Sequence, residues 1–541
     1  MRVAIGQMNA HVGAIGKNRD RILACVSEAR GLGCDLVIFP ELAVCGYPPL
    51  DSIWRPGYVE ACEDAVEAIR SASGGIGVLV GSITARTKRE AINRYDLSSL
   101  ADGTGTELFN TAVLIEDGRV LGGASKIHLP CYDVYDESRY FTPGPGTEVF
   151  PFRGTTIGIN VCEDLWVDGG PTELQANLGA DWIINLSASP FYLGKSGIRQ
   201  RLVRRRATEN GVGIVYVNLV GGQDDIVFDG GSFVVDANGE TLFRAPSFAE
   251  GLYVFDLSDA HPVATEECDE LRQLQSALVL GIRDYVLKNG FASVVVGLSG
   301  GIDSALVTAL AVEALGSDHV TGVYLPSRFS SDESRDAARE IALRSSIELL
   351  EIPVGEVHEA LRDALPEPPT GLADENLQPR IRATLWMGLA NQRSALILCA
   401  GNKSEIAMGY NTLYGDTTGA LAPIADLYKT DVYRLAASLT KRIPHRVLKR
   451  APTAELRPDQ RDEDDLPPYD VLDPLLARII EGNRSRAELI AEGIDTGLVD
   501  RVLSRYYASE YKRRQLPPGI KVSPKAFGVG RRMPITNAYR G

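Results

Sequence analysis

The feature that most constrains the fold of this chain is residues 294–304, with the sequence VVVGLSGGIDS. A short β-branched run is typical of a buried strand in a parallel sheet. Paired glycines follow it, and an amphipathic helix then runs to Gly316, the residue type that commonly ends a helix. Glycines let backbone N–H groups approach an anion, and a helix N-terminus adds partial positive charge. The stretch therefore predicts a phosphate-binding turn between a parallel strand and a helix.

The turn itself, SGGIDS at residues 299–304, is not a Walker A loop, because no Lys-Ser or Lys-Thr pair follows the glycines. It resembles the pyrophosphate loop of the ATP-pyrophosphatase superfamily. The resemblance implies that the loop holds the β- and γ-phosphates of ATP and leaves the α-phosphate open to attack, which is adenylyl transfer with release of pyrophosphate. The positions that it implies for ATP binding are Gly297, Leu298, Ser299, Gly300, Gly301, Ile302, Asp303, Ser304 and Ala400.

The composition is that of a globular protein with more than one domain, since 541 residues exceed the usual size of one. A net charge of −15 argues against a nucleic-acid surface, and eight cysteines without a CxxC pair indicate neither zinc nor a disulfide framework. No apolar run has the length of a membrane span, and polar residues interrupt the N-terminal apolar stretch too early for a signal peptide. We therefore expect a cytoplasmic protein with reduced thiols, and neither a membrane nor a nucleic acid as partner.

Residues 1–257 predict a mixed α/β domain in layers, because strand and helix patterns alternate and are joined by hairpin turns such as residues 116–118 and 236–239. Such meanders argue against a doubly wound sheet in this region. The predicted strands are residues 3–8, 36–39, 76–83, 109–115, 156–161, 182–186, 214–217 and 232–235. The predicted helices are residues 19–32, 59–69 and 196–210.

Three residues of this domain, Glu41, Lys126 and Cys162, stand at strand ends or after a hairpin. Each alone is ordinary, but together they supply a base, a cation and a nucleophile. A cysteine attacks an amide as the thiolate, so a cation must help to hold its charge and a carboxylate must take its proton. Glu163 and Asp164 would oppose a thiolate by like charge, so we expect both to point elsewhere.

These three residues look like the Glu-Lys-Cys set of the nitrilase superfamily, which implies a nitrilase-like αββα sandwich. In that resemblance Glu41 is the base, Lys126 the cation beside the oxyanion and Cys162 the nucleophile. Residues 126–132 and 136–141 resemble the glutaminase domain of glutamine-dependent NAD⁺ synthetases. The positions that this resemblance implies for glutamine binding are Tyr132, Ser189 and Lys195. The tyrosine and the serine also fit ordinary packing or turn roles.

A polar, acidic linker is predicted at residues 258–270, and residues 271–541 then predict a doubly wound parallel sheet with helices on both faces. The reason is a regular alternation of strands and helices after the phosphate-binding turn. The predicted strands are residues 320–325, 347–352 and 395–399, and the predicted helices are residues 271–288, 331–344 and 377–389.

A Gly-Asn turn after the last of these strands leads to Glu405, at the edge where open α/β sheets bind ligands. Asp303 and Glu405 are therefore candidate Mg²⁺ ligands, although Glu405 alone also fits a carboxylate at a helix N-terminus. Members of the resembled family often carry Thr before this turn, whereas this chain has Ala400, so any hydroxyl contact to ATP is lost there and only the backbone is available for one. The positions that the resemblance implies for deamido-NAD⁺ binding are Asn376, Glu405 and Lys512.

Two charged segments lie in the second domain. Residues 457–473 are acidic and rich in proline, which predicts a solvated surface loop. Residues 511–515, YKRRQ, are basic. Because the segment has only a few cations, it is better suited to bind the pyrophosphate of a dinucleotide than to bind a nucleic acid.

Taken together, the resemblances imply a carbon–nitrogen ligase that amidates deamido-NAD⁺ to NAD⁺ with ATP, Mg²⁺ and glutamine, and we expect a homo-oligomer. Ammonia would come from a thioester on Cys162, and the second domain would adenylate the nicotinate carboxylate. One alternative is another pyrophosphate-loop amidotransferase with a different acceptor carboxylate, although such enzymes carry other glutaminase domains. The other is a binding protein with decayed sites, against which the intact Glu41, Lys126, Cys162, Asp303 and Ser304 argue.

Overall fold

A computed structural model of the chain describes residues 1–87, 106–258, 261–263, 269–458 and 460–539. The chain forms two compact units. One comprises Met1–Gln223 with Val227–Cys268, and the other comprises Asp224–Ile226 with Asp269–Gly541. Most of the predicted linker, residues 259–260 and 264–268, lies outside the described residues.

The first unit contains two six-stranded sheets in the described part of the chain. Its strands are β1 (Arg2–Gln7), β2 (Leu36–Ile38), β3 (Gly77–Thr87), β4 (Thr106–Glu116), β5 (Arg119–Ser125), β6 (Val149–Phe152), β7 (Thr155–Val161), β8 (Trp182–Ser187), β9 (Gly213–Asn218), β10 (Val220–Gln223), β11 (Ile226–Asp229), β12 (Phe233–Val235), β13 (Thr241–Arg244) and β14 (Gly251–Asp256). Its helices are α1 (Ile15–Gly31), α2 (Tyr58–Ala72), α3 (Pro171–Asn177) and α4 (Lys195–Asn210).

The two sheets have the strand orders β14-β1-β2-β3-β4-β5 and β13-β12-β9-β8-β7-β6. Ile38 and Leu79 of the first sheet share one buried cluster with Ile159 and Ile184 of the second. The inner faces of the sheets are therefore packed on each other, while α1 and α2 pair beside the first sheet and α3 and α4 beside the second. This is the αββα sandwich expected from the sequence, and every predicted strand and helix of this region overlaps an observed one.

The second unit contains a four-stranded parallel sheet among the described residues, with the order β17-β16-β15-β18. Its strands are β15 (Val294–Gly297), β16 (Val320–Tyr324), β17 (Glu348–Glu351) and β18 (Leu396–Leu398). Its helices are α5 (Glu270–Lys288), α6 (Ile302–Leu315), α7 (Asp332–Ser345), α8 (Gly355–Asp363), α9 (Leu372–Arg393), α10 (Lys403–Met408), α11 (Lys429–Ser438), α12 (His445–Lys449), α13 (Tyr469–Ile480), α14 (Arg486–Ala491), α15 (Thr496–Ala508) and α16 (Glu510–Arg513).

Helices cover both faces of this sheet. Val295, Val323 and Ile397 point to the face on which α9 packs. Because side chains alternate along a strand, Val294 and Val296 point to the opposite face, where α6 contacts β15 and β16. The doubly wound arrangement expected from the sequence is confirmed.

The acidic residues 457–473 form the solvated loop that their composition predicted only in part, since Glu463, Asp464 and Asp465 are exposed but two other carboxylates are not. Asp462 and Asp473 are both buried. Asp462 accepts a hydrogen bond from the Tyr469 hydroxyl at 2.9 Å, and Asp473 accepts from the Ser404 hydroxyl at 2.5 Å and the Thr430 N–H at 2.8 Å. The prediction was wrong for these two carboxylates because hydroxyl and N–H donors, one within the segment and two from distant parts of the chain, satisfy them.

Candidate active sites

The structure brings Glu41, Lys126 and Cys162 into one buried cluster of the first unit. Glu41 follows β2, Lys126 follows β5, and Cys162 follows β7 and begins the short 3-10 helix Cys162–Leu165. The Lys126 ammonium donates to Glu41 Oε1 at 2.8 Å. Glu41 also accepts from Asn110 Nδ2 at 2.7 Å and from the Ala188 N–H at 2.7 Å, so both of its carboxylate oxygens are held.

Gly81 of β3 makes room for the loop that carries Glu41. A Cβ atom at this position would lie 2.4 Å from the Leu42 nitrogen and 2.4 Å from the Pro40 oxygen, which is closer than real Cβ atoms approach backbone. The Gly81 carbonyl also accepts from the Val44 N–H at 3.1 Å. Direct backbone contact with β3 therefore fixes the position of Glu41.

A fourth charged residue of this cluster, Glu137, was not assigned a role from the sequence. It lies in the 3-10 helix Glu137–Arg139 and accepts from Lys126 Nζ at 2.7 Å and from the Tyr47 hydroxyl at 2.7 Å. Nothing in its local sequence separates Glu137 from a solvated turn residue. The loop between Lys126 and Glu137 folds back on itself, with the Glu137 N–H donating to the Pro130 carbonyl at 3.0 Å. This fold places the Glu137 carboxylate beside Lys126.

Burial sets the protonation of the cluster. Burial, together with the charge of Glu41, raises the pKa of the Cys162 thiol well above its ordinary value, and Lys126 offsets this only in part. Burial lowers the pKa of Lys126, but Glu137 and Glu41 raise it well above the usual range, so the ammonium stays charged. Burial raises the pKa of Glu137 to about 7. These surroundings therefore favour the protonated thiol of Cys162 over the thiolate.

The two carboxylates that follow Cys162 are directed to other partners, as expected. Asp164 accepts from the N–H groups of Ile127 at 3.1 Å and His128 at 2.8 Å, which ties the Cys162 turn to the Lys126 segment. Burial raises the pKa of Asp164 to about 6, although these donors lower it. Glu163 accepts from the Tyr132 hydroxyl at 2.9 Å.

Of the three positions implied for glutamine, Tyr132 and Lys195 lie close enough to Cys162 to interact with its charge, and Ser189 lies next to a residue that contacts Glu41. Tyr132 is half-exposed at the surface, and partial burial raises the pKa of its hydroxyl, as do Glu163 and, to a smaller extent, Cys162. Ser189 is buried, follows the Ala188 N–H that holds Glu41, and is fixed through its own N–H to Asn218 Oδ1 at 2.9 Å. The Lys195 ammonium at the start of α4 lies 4.6 Å from the centroid of the Trp166 ring, and burial lowers its pKa.

A cavity of about 290 Å³ in the second unit is lined by the phosphate-binding turn and by Ala400 and Glu405. Eight of the nine positions implied for ATP line it: Gly297, Leu298, Ser299, Gly301, Ile302, Asp303, Ser304 and Ala400. Gly300 lies behind the turn with φ +83°, and a Cβ there would lie 2.3 Å from the Ser334 carbonyl oxygen. Both facts require glycine at this position.

Asp303 and Glu405 converge on Lys429, which the sequence analysis missed. The Lys429 ammonium donates to Asp303 at 2.6 Å and to Glu405 at 3.2 Å, and Asn402 Nδ2 donates to Asp303 at 2.9 Å. Burial raises the pKa of Glu405 to about 8, with Lys429 acting against it. Burial lowers the pKa of Lys429, but Asp303 and Glu405 raise it above its usual range. Lys429 is the first residue of α11, and nothing in the sequence around it indicates that it pairs with these two carboxylates.

Asn376 and Lys512, implied for deamido-NAD⁺, lie behind the cavity wall and do not line it. Asn376 accepts from the Thr412 hydroxyl at 2.7 Å, and Lys512 donates to the carbonyls of Gly409 at 2.8 Å and Asn411 at 2.7 Å. Both therefore hold the lining loop that contains Asn411. In the described part of the chain, neither polar atom of the Asn411 side chain has a hydrogen-bond partner, although both are buried.

The basic segment at residues 511–515 is only partly available to a ligand. Arg513 is buried and donates to the carbonyls of Ala407 and Tyr506 and to Glu510. Its role is therefore structural, which corrects the expectation that the cations of this segment face a pyrophosphate.

None of the helices in the described ranges combines the length and apolar character that crossing a membrane requires.

Comparison with known families supports the division of chemistry between the units. Residues 2–263 match the carbon-nitrogen hydrolase family, and residues 274–517 match the NAD synthase family. Fold and sites together define a two-domain enzyme, a carbon–nitrogen hydrolase domain followed by a nucleotide-binding synthase domain.

Full-length relatives narrow this class. A glutamine-dependent NAD(+) synthetase from Synechocystis is 42% identical over 99% of this chain and 99% of its own length, and one from Xylella fastidiosa strain 9a5c is 42% identical over 100% and 99%. The solved structure of glutamine-dependent NAD+ synthetase from Acinetobacter baumannii in complex with ADP is 36% identical, with a TM-score of 0.77 over 99% of this chain and 98% of that one. The chain belongs to the family of glutamine-dependent NAD(+) synthetases.

Proposed function

We propose that this chain converts deamido-NAD⁺ to NAD⁺, with glutamine as nitrogen donor and ATP converted to AMP and pyrophosphate. The observation that carries the proposal is the presence of two separate chemical sites. One is the buried Glu41–Lys126–Cys162 cluster, and the other is the cavity around the phosphate-binding turn. Neither site alone completes the reaction, since one releases ammonia and the other consumes it.

In the first site, Glu41 takes the proton of the Cys162 thiol while the sulfur attacks the side-chain amide carbon of glutamine. The tetrahedral oxyanion forms beside the charged Lys126 ammonium, which favours it electrostatically. When the C–N bond breaks, Glu41 returns the proton to the leaving nitrogen and ammonia departs, leaving a thioester. Glu41 then activates water, which attacks the thioester to give glutamate and the free thiol.

Glu137 has a supporting role in this proposal. It shares the Lys126 ammonium with Glu41, at 2.7 Å and 2.8 Å respectively. A second carboxylate of this kind keeps the lysine charged and fixes its direction while the Glu41 proton state changes. Glu137 is therefore a positioning residue for Lys126.

Glutamine is proposed to bind through Tyr132, Ser189 and Lys195. Support comes from their placement around Cys162 and from the partial desolvation of Lys195, whose ammonium gains from pairing with the substrate carboxylate. The Tyr132 hydroxyl and the Glu163 carboxylate, already paired at 2.9 Å, offer acceptors for the substrate ammonium.

In the second site, the phosphate-binding turn is proposed to hold the β- and γ-phosphates of ATP. An oxygen of the nicotinate carboxylate attacks the α-phosphorus, and pyrophosphate leaves. Ammonia then attacks the acyl carbon of the adenylate and AMP leaves, which gives the amide of NAD⁺. Glu405, Asn376 and Lys512 are proposed to define the deamido-NAD⁺ subsite, and the unpaired Asn411 amide in the cavity wall supports a polar ligand there.

The residues present fit Mg²⁺ as a companion of ATP. Asp303 and Glu405 already direct carboxylate oxygens to one cation, the Lys429 ammonium. No group of three or more His, Cys, Asp or Glu side chains that could hold a metal occurs among the residues that the structure describes. Asp303 and Glu405 would therefore hold the ion together with nucleotide phosphates, where it would neutralise charge on the leaving pyrophosphate.

The proposal also includes a cytoplasmic location and a homo-oligomeric state. Fractionation of cells tests the location, and light scattering of the purified protein tests the oligomeric state.

The deciding experiment for the function is a product assay with ATP, Mg²⁺ and deamido-NAD⁺, with glutamine or ammonium as donor. We expect NAD⁺, AMP and pyrophosphate with both donors, and glutamate with glutamine only. The same assay is run with two alternative acceptors of the nitrogen, xanthosine monophosphate, which offers a ring carbonyl, and aspartate, which offers a carboxylate. Amidation of either of these instead of deamido-NAD⁺ would assign the chain to another pyrophosphate-loop amidotransferase.

A further inference from the structure

One wall of the nucleotide cavity is a continuous run of residues, 450–456, every one of which lines it. We call this run the strap. It contains neither helix nor strand, so regular backbone hydrogen bonding does not fix its position. Individual hydrogen bonds hold it instead: the Pro452 carbonyl accepts from the Asp462 N–H at 3.2 Å, the Leu456 carbonyl accepts from Gln378 Nε2 at 2.9 Å, and side chains make further contacts.

Glu455 makes the contacts that join the strap to the first turn of α7. Its carboxylate accepts from the Ser331 hydroxyl at 2.8 Å, the Ser334 hydroxyl at 2.9 Å and the Arg450 guanidinium at 2.6 Å. Arg450 Nη1 in turn donates to the Ser334 hydroxyl at 2.7 Å. Glu455 has φ +49°, a left-handed conformation that a non-glycine residue holds only when its surroundings enforce it.

Ser331 and Ser334 also belong to the wall behind the phosphate-binding turn. Ser331 is the N-cap of α7, and its hydroxyl accepts from the Ser334 N–H at 3.1 Å. The Ser334 carbonyl oxygen lies 2.3 Å from where a Cβ on Gly300 would stand. The first turn of α7 therefore contacts the phosphate-binding turn on one side and Glu455 on the other.

From this geometry we propose that Glu455 is a positioning residue for ATP. Through Ser331 and Ser334, it holds the strap at a fixed position relative to the phosphate-binding turn. The strap and the turn can then contact the same bound nucleotide. The inference rests on the proposed function, because it assigns the strap to the ATP site of that reaction. Three charge-assisted or hydroxyl hydrogen bonds converge on one carboxylate that is mostly shielded from water, with 18% of its side chain exposed.

Three single variants test the proposal. Glu455→Ala removes the contacts, Glu455→Gln keeps acceptor oxygen but loses the charge paired with Arg450, and Glu333→Ala is the control. Glu333 is on the same turn of α7, but it is exposed and lies 4.0 Å from Arg450. Kinetics are measured with ammonium as donor, so that the glutaminase does not contribute, and equilibrium ATP binding is measured by calorimetry.

For Glu455→Ala we expect the KM and Kd for ATP to rise by roughly tenfold, the scale of losing a charged hydrogen bond. The KM for deamido-NAD⁺ and the rate of glutamine hydrolysis should stay at wild-type values. Glu455→Gln should give an intermediate rise and Glu333→Ala none. ATP parameters for both Glu455 variants that equal those of Glu333→Ala would overturn the proposal.

A mutant cycle tests whether Glu455 acts through the serines. If it does, Ser331→Ala/Ser334→Ala raises the ATP KM, and adding Glu455→Ala to this double variant raises it little further. Fully additive effects would show that Glu455 acts by another route and would also overturn the proposal. Failure of the proposed function is distinguishable, since the wild type would then bind ATP in calorimetry without forming NAD⁺.

Discussion

The ammonium of Lys126 lies 2.8 Å from a carboxylate oxygen of Glu41, and both side chains are buried. Asn110 and the Ala188 N–H donate to the same carboxylate, so the direction of Glu41 is set from two sides. A base fixed in this way suits Cys162, since burial raises the pKa of that thiol. All of these groups belong to the first unit, so mutations there should separate the two proposed activities.

Replacing the nucleophile gives the simplest separation. Cys162→Ala should abolish NAD⁺ formation with glutamine and leave NAD⁺ formation with ammonium at or near the wild-type rate. The reason is that no other atom of the cluster can form the thioester. Cys131→Ala is the control, because that thiol is exposed. Substantial glutamine-driven product from Cys162→Ala would remove Cys162 from the mechanism.

Glu137 should give the glutaminase an acidic limb in its pH profile. Burial raises the pKa of Glu137 to about 7, and its ionised form is the partner of Lys126. The rate of glutamine hydrolysis should therefore fall as pH decreases through about 7. Glu137→Gln should lower the rate by roughly tenfold to a hundredfold, the scale of losing a partner of a buried charge, and remove this limb. An unchanged limb in the variant would assign it to another group.

The same shift has a consequence for stability. The folded protein holds a proton on Glu137 at pH values where the unfolded chain has already lost it, between about 4.5 and about 7. Glu137 therefore makes the first unit less stable as pH rises through that window. Relative to Glu137→Gln, the wild type should lose unfolding free energy from pH 4.5 to pH 7 and change little above it. Thermal melts across this range measure the difference.

Gly81→Ala should disrupt the glutaminase although Gly81 carries no functional group. The added Cβ would lie 2.4 Å from backbone atoms of the loop that carries Glu41, so that loop must shift. We expect glutamine-driven synthesis to fall at least tenfold, because sub-ångström placement of a base matters at this scale, while ammonium-driven synthesis persists. Gly16→Ala is the control, since its Cβ would meet nothing within 4 Å. Equal activities of the two variants would contradict the prediction.

Asp303→Asn should impair the synthetase chemistry and spare glutamine hydrolysis, which is the reverse of the effect expected for Cys162→Ala and Gly81→Ala. Loss of the carboxylate charge that faces Lys429 and is proposed to hold Mg²⁺ should reduce synthesis from both donors by a hundredfold or more, on the order of a metal-ion contribution to phosphoryl chemistry. Glutamine hydrolysis should continue. Asp318→Asn, at an exposed position, is the control. Normal turnover of Asp303→Asn with ammonium at ordinary Mg²⁺ would exclude the proposed role.

The long apolar strands and both fold classes were predictable, because burial on two faces leaves continuous β-branched runs such as residues 294–296. Short edge strands such as β6 and β13 were missed because each has only four residues, although Phe150 and Phe152 of β6 are buried in the core. Helix α9 begins at Leu372, after Gly371, and not at residue 377. Pro379 lies inside this helix, whereas proline is more common in the first turn of a helix. A predicted start at residue 377, just before Pro379, was therefore too late in the chain.

The site was predictable where a motif brings its own residues together, as in the phosphate-binding turn. Glu137 and Lys429 were missed because each reaches its partners only through the folding of distant segments. The burial of Asp462 and Asp473 within residues 457–473 was missed for a related reason. Local composition shows the charge of Asp462 and Asp473, but it does not show the hydroxyl and N–H donors that bury them.

The shared cation of Asp303 and Glu405 links two binding equilibria. A nucleotide that enters beside these carboxylates adds negative charge, and Lys429 already divides its single positive charge between them. A divalent ion that binds to both the carboxylates and the phosphates must raise the affinity for the nucleotide, and the nucleotide must raise the affinity for the ion by the same factor. With Mg²⁺ held as proposed, we therefore expect ATP to bind in this cavity as its magnesium complex, and the fraction of synthetase sites that hold ATP to follow the free magnesium concentration.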